Sequence, residues 1–206
     1  MDFNEEERFM NRIILLGDSI TAGVIDGFPS TTFTHKLQAK FPQSEFINRG
    51  VPGDNTKNAQ TRLQADVFEV NPQVVLIFFG TNDAAATDIS LEDYKDNLKK
   101  MIDMIGSQKV ILVTPGLADE TLHPDRLDQK MAAYALATRE VAHLYNIPLV
   151  DWNKVFLLYK ENKDQLLQAD GIHYSSEAYD LLVETIAPVL KEKLAGLNSL
   201  NLYHIK

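Results

Sequence analysis

Cysteine is absent from this chain, and with it go disulfides, thiolate metal ligands and any cysteine nucleophile. Long apolar runs are absent too. The most extended, Val74–Phe79 and Val110–Val113, are strand-length and well short of the ~20 residues that cross a bilayer as a helix, so no stable membrane insertion is expected. Positive charge is scarce: 20 lysines and arginines face 29 aspartates and glutamates, a net charge of −9. Such a surface repels phosphate backbones and anionic bilayers, which argues against nucleic acid as a partner. The first ten residues carry Asp2, Glu5, Glu6 and Glu7, and the apolar run behind them, Ile13–Leu16, is too short for a signal sequence. The chain reads as cytoplasmic.

What is present is a regular alternation. Apolar runs at Ile13–Leu16, Glu45–Asn48, Val74–Phe79, Val110–Thr114 and Pro148–Val150 read as strands, and their lack of in-out alternation suits strands buried on both faces of a parallel sheet. Between them lie segments of helical period: Leu91 to Ile105, with Ser90 and Asp93 placed to cap its start; Leu127 to Tyr145; and Ala178 to Leu194, which Pro188 should kink or relieve by a turn. Strands alternating with helices predict right-handed crossovers and a three-layer α/β/α sandwich with a five-stranded parallel sheet. No repeat, low-complexity tract or linker interrupts the sequence, so one domain spanning 1–206 is expected, with 198–206 as a tail or surface strap. The sequence carries no signal of oligomeric state.

In open parallel sheets, ligands bind beyond the carboxyl ends of the strands. There the first strand runs into Gly17-Asp18-Ser19-Ile20-Thr21, the second into Asn48-Arg49-Gly50-Val51-Pro52-Gly53-Asp54-Asn55-Thr56, and the third into Gly80-Thr81-Asn82-Asp83. A serine on a sharp turn after a buried strand projects its hydroxyl into a cleft, and Ser19 is so placed. It needs a base. Of five histidines, His35 and His143 fall in helical stretches, His204 in the tail and His123 in a loop where it could line a rim. His173 stands apart in Asp170-Gly171-Ile172-His173, just before the last helix, where Asp170 could accept from Nδ1 and leave Nε2 for Ser19. Gly53 could offer its N–H and Asn82 its side-chain amide to an oxyanion, with the Ser19 N–H as a third donor, each worth roughly 3 to 4 kcal/mol. Taken singly, each has a plain structural reading: Ser19 as a helix cap, Gly53 in a Pro-Gly turn, Asn82 as a turn asparagine, Asp170-Gly171 as a surface turn. Together, four separate loops supply a nucleophile, base, orienter and oxyanion donors without a missing part.

At these residues the sequence resembles the GDSL, or SGNH, hydrolase superfamily, named for an invariant Ser, Gly, Asn and His in four blocks. The blocks are similar to Gly17–Thr21, Gly50–Thr56, Gly80–Asp83 and Asp170–His173, in the family's order and spanning most of the chain. Ile20 stands where the nominal motif has leucine. The resemblance implies a flavodoxin-like sandwich of strand order 2-1-3-4-5, and a serine esterase or acylhydrolase acting on acyl esters, thioesters or acetylated carbohydrates through an acyl-enzyme. Within the family the chain is most similar to small bacterial lipases, acylhydrolases and arylesterases. It implies a small-molecule ester as substrate, no cofactor and no metal. Phe28, Phe33 and Leu117, in the loops Val24–Phe33 and Gly116–Pro124, are candidates for the substrate-binding wall.

Three other readings share the fold class. The same site could transfer acyl groups to an alcohol. A flavodoxin-like binding module is disfavoured by Asp18, whose charge would face the phosphate. A metal-dependent phosphoesterase could recruit Asp18, Asp54, Asp83, Asp170 and His173, but would leave Ser19 and Asn82 idle.

Overall fold

The computed structural model describes residues 11–159, 162 and 165–203. Five parallel strands, β1 (Asn11–Gly17), β2 (Ser44–Gly50), β3 (Val74–Phe78), β4 (Val110–Val113) and β5 (Leu149–Val150), form one sheet in the order β2-β1-β3-β4-β5. Ile13–Leu16 and Val74–Leu76 are wholly buried, as apolar strands sandwiched between helical layers must be. The helices are α1 (Thr32–Lys40), α2 (Thr56–Ala59, continued by tighter and wider turns to Phe68), α3 (Thr81–Ala85), α4 (Leu91–Ile105), α5 (Asp128–Leu144), α6 (Trp152–Leu157) and α7 (Ser176–Tyr203). On one face α1 and α6 pack against α7; on the other α4 joins α2 and α5.

Local chemistry sets several of these boundaries. At the start of α4 the Ser90 hydroxyl accepts from the Asp93 N–H at 3.1 Å while the Asp93 carboxylate accepts from the Ser90 N–H at 2.9 Å, a reciprocal cap that satisfies two orphan donors. Leu98, Met101 and Ile102 then turn inward on one stripe. The last helix is longer than its apolar period suggests. It continues through Pro188 to Tyr203, so residues 198–203, expected in a tail, are helical, and 204–206 lie outside the described residues, as does the acidic segment 1–10.

Three helices, α2, α3 and α6, were not expected, and α1 was expected only as a helical stretch around His35. α1, α2, α3 and α6 are short, and α1 buries only Phe33 and Leu37; too few apolar positions repeat to betray a period of 3.6. Phe33 therefore belongs to a helix rather than a loop. It is fully buried, with its ring 5.6 Å from that of Tyr179, so it fills core instead of lining a wall. Leu117 is likewise core, at 2 % exposure. Of the three expected lining residues only Phe28, at 76 %, reaches the surface.

Candidate active site

The strand order places the ends of β2, β1 and β3 side by side. Gly17 is in register with Gly50 on one flank and with Phe78 on the other, so the three loops that follow leave the sheet from adjacent points. Gly50 has to be glycine: a Cβ there would lie 2.2 Å from the Ala22 nitrogen. The Ser19 turn and the Gly53 loop thus touch backbone to backbone, and the Val51 N–H reaches the Gly17 carbonyl at 3.0 Å.

The turn bearing Ser19 is shaped by its own backbone. The Ala22 N–H bonds to the Asp18 carbonyl, the Val24 N–H to the Ser19 carbonyl, and the Asp18 carboxylate accepts from the Ile20 N–H at 2.8 Å. Ser19 sits at this turn with 8 % of its surface exposed. In the second loop, Gly53 adopts φ +79° and the Asp54 N–H closes onto the Val51 carbonyl at 3.0 Å. That is the geometry of a type II turn, which calls for glycine at its third position.

Asn82 lies in the first turn of α3 rather than in a loop. Its Nδ2 donates to the Asp54 carbonyl at 2.9 Å, and its Oδ1 accepts from Arg126 at 3.3 Å. Among the described residues one amide hydrogen is so engaged and the other is left over. Asn82 and Gly53 are therefore joined through a single intervening residue. Asp83 anchors the same pair of loops: its Oδ1 accepts from the Thr56 N–H at 3.0 Å and from the Thr56 hydroxyl, which in turn accepts from Asn97.

The fourth block is a compact ring. One Asp170 oxygen accepts from the N–H groups of Ile172 (3.0 Å) and His173 (2.9 Å), and the other meets His173 Nδ1 at 2.7 Å. Burial pushes the Asp170 carboxyl up, but the hydrogen bonds from His173 and Ile172 outweigh it and hold the group below the usual carboxylate range. An ionised carboxylate can only accept. Nδ1 is therefore the protonated nitrogen, and the Nε2 lone pair is left for a proton. Two contacts from the flanking residues tie this part of the chain to the Ser19 turn: the Tyr179 hydroxyl of α7 donates to the Ile20 carbonyl at 2.8 Å, and Gln168 Nε2 donates to the Val24 carbonyl at 2.8 Å.

Sequence reasoning overlooked Gln168 and Arg126, and expected of His123 no more than a rim. Arg126 donates to the Thr81 carbonyl as well as to Asn82, and His123 Nε2 lies 2.7 Å from the Asp170 carbonyl. The loop between β4 and α5 thus touches both the Asn82 and the Asp170 sides. Bonds to main-chain carbonyls leave no trace in residue spacing.

Beneath the site lie acidic groups with divided commitments. Asp54 is paired with Arg62 at 2.6 Å. Asp18, 2 % exposed, is pushed up to about 7 by burial, with the charges of Asp83 and Asp54 adding to the effect. Among the described residues, no three histidine or acidic side chains converge as a metal ion would require. The raised Asp18 has a consequence for stability. In the folded chain it holds its proton to higher pH than in the unfolded chain, so stability falls as pH rises from the ordinary carboxylate range through about 7. Asp18→Asn keeps an oxygen for the Ile20 N–H and removes that penalty. The variant should match the wild type near pH 4 and exceed it increasingly toward pH 8, each tenfold change in proton affinity amounting to about 1.4 kcal/mol. Denaturant melts across that range would show it; a gap independent of pH would contradict it.

A five-stranded parallel sandwich with these blocks at the strand ends defines a class of hydrolase, and the comparisons agree. Residues 15–181 match the sequence model of the GDSL-like Lipase/Acylhydrolase family, and the chain belongs to that family. It is 30 % identical to the human isoamyl acetate-hydrolyzing esterase 1 homolog, over 90 % of this chain and 84 % of that one. Its fold superposes on a lipase/acylhydrolase from Enterococcus faecalis with a TM-score of 0.85 at 36 % identity, covering 89 % of this chain and 97 % of the other. An acetyl xylan esterase, AlAXEase, follows at TM-score 0.70 and 27 % identity, covering 85 % and 97 %. The chain is a carboxylic ester hydrolase. No helix among the described residues is long and apolar enough to cross a membrane.

Proposed function

We propose that this protein is a serine esterase of short-chain esters, acetates foremost, working through an acyl-enzyme on Ser19. The observation that carries the reading is the 2.7 Å contact between His173 Nδ1 and Asp170, in a loop bonded to the Ser19 turn. Ser19 Oγ attacks the ester carbonyl as His173 Nε2 takes its proton, and Asp170 stabilises the imidazolium. The Ser19 and Gly53 N–H groups and the spare Asn82 amide hydrogen receive the oxyanion. On collapse, the C–O bond to the alcohol breaks and His173 returns the proton to the leaving oxygen. Water, activated by the same imidazole, then releases the acid and frees Ser19.

Support for acetates comes from the relatives, one named for isoamyl acetate and another for acetyl xylan. Phe28 lines the rim on this reading, and the whole chain acts as one domain. An acyl-enzyme also makes transfer to an alcohol a side reaction of the same intermediate, and this supplies the test. With phenyl, p-nitrophenyl and isoamyl acetates in water containing methanol, the ratio of methyl acetate to acetate should be the same for all three, because the partitioning species has already lost its leaving group. A ratio that follows the leaving group would overturn the mechanism. Hydrolysis should fall as the acyl chain grows; preference for long acyl chains or for acyl thioesters would overturn the substrate class.

A further inference from the structure

We infer that Gln168 is a positioning residue that sets the distance between nucleophile and base, an assignment that rests on the reading above. Catalysis of this kind needs Ser19 and His173 in register, yet they are 154 positions apart in the chain and ride on different loops. Gln168 spans the gap. Its side-chain Nε2 donates to the Val24 carbonyl at 2.8 Å and to the Tyr174 carbonyl at 2.8 Å, and its Oε1 accepts from the Asp26 N–H at 2.9 Å. Its own N–H donates to the His173 carbonyl at 2.8 Å, and its carbonyl accepts from the Gly171 N–H at 2.9 Å.

Two features make this more than a loop fastening. First, an unbroken chain of three hydrogen bonds links the reacting residues: Val24 N–H to the Ser19 carbonyl, Gln168 Nε2 to the Val24 carbonyl, and Gln168 N–H to the His173 carbonyl. Second, the primary amide is the only neutral side-chain group that gives two donors and an acceptor from one planar head. The surroundings use all three, two carbonyls facing the NH₂ and one N–H facing the oxygen, so the amide has one orientation and the two loops one separation. A glutamate would set an oxygen against both carbonyls. A methionine would leave both without a donor and the Asp26 N–H without an acceptor.

The expected loss on substitution is in kcat. For Gln168→Met and Gln168→Glu, kcat on p-nitrophenyl acetate should fall about 10- to 100-fold, the scale of a small misplacement of reacting groups, with KM within about threefold. Thermal melts confirm that each variant is folded, and Gln168→Glu retains the acceptor for Asp26 if the methionine proves too disruptive. Because Gln168 acts through His173, its loss should cost almost nothing further in a His173→Ala background. A merely structural role would lower the melting temperature and leave kcat per folded molecule unchanged, or lower it by the same factor with and without His173; either result overturns the inference. Failure of the underlying site reading looks different: His173→Ala alone would then keep wild-type kcat.

Discussion

Ser19→Ala should lower kcat by at least about 10³-fold and leave the fold intact. The magnitude follows from what the hydroxyl is asked to do. Without it no covalent acyl-enzyme forms, and only direct attack by water, assisted by the oxyanion donors, remains. The intact fold follows from the bonding of the turn, whose hydrogen bonds run through the Ser19 carbonyl, the Asp18 carboxylate and the Ile20 N–H and, among the described residues, not through the Ser19 hydroxyl. The loss should be accompanied by a change in labelling. A fluorophosphonate should add one adduct to the wild type, by intact mass, and none to the variant. A loss under tenfold, or an adduct that survives the substitution, would place the nucleophile elsewhere.

The core of the sandwich was legible because its central strands, β3 and β4 throughout and β1 from Ile13 on, are buried on both faces. Ile13–Leu16 and Val74–Leu76 carry no polar alternation to obscure them, and Ser90 with Asp93 marks the start of α4 to the residue. Order within the sheet was not legible from pattern; it came with the family resemblance, and the observed β2-β1-β3-β4-β5 agrees with it. The short helices α2, α3 and α6 were missed because their stability comes from tertiary contacts rather than from a repeating apolar stripe. The same blindness misplaced Phe33 and Leu117: an aromatic or leucine between recognisable elements looks the same in sequence whether it lines a cleft or completes a core. At the site, Ser19, Gly53, Asn82, Asp170 and His173 stood out because four separate loops together offer every part of a hydrolytic site, although each residue alone reads as an ordinary turn or cap residue. The residues that brace them did not. Gln168 and Arg126 act largely on main-chain carbonyls, which every residue has, so no pairing of side-chain types records the contact.

Asp170→Asn is the second large effect, and its argument turns on a single proton. In the wild type, one carboxylate oxygen holds the loop by accepting from the Ile172 and His173 N–H groups, while the other accepts from His173 Nδ1 at 2.7 Å. Asparagine can keep the first function with its Oδ1. Its Nδ2, however, is a donor, and set against Nδ1 it favours the tautomer with the proton on Nε2, where the base must be empty. The geometry survives and the base is lost. We expect kcat to fall by about 10³- to 10⁴-fold at neutral pH, the scale known for a triad carboxylate replaced by its amide. Stability should respond differently. Because the folded Asp170 is held below the usual carboxylate range, its charge contributes stability above the ordinary carboxylate value, and the contribution is lost as pH falls through the folded one. The melting difference between wild type and variant should therefore close in acid, while the kcat difference at neutral pH exceeds anything that the small change in melting would produce. Parallel measurement of kcat and of melting against pH separates the two. If the variant retains more than a tenth of wild-type kcat, Asp170 does not set the tautomer of the base, and its contact with His173 is an element of loop structure alone.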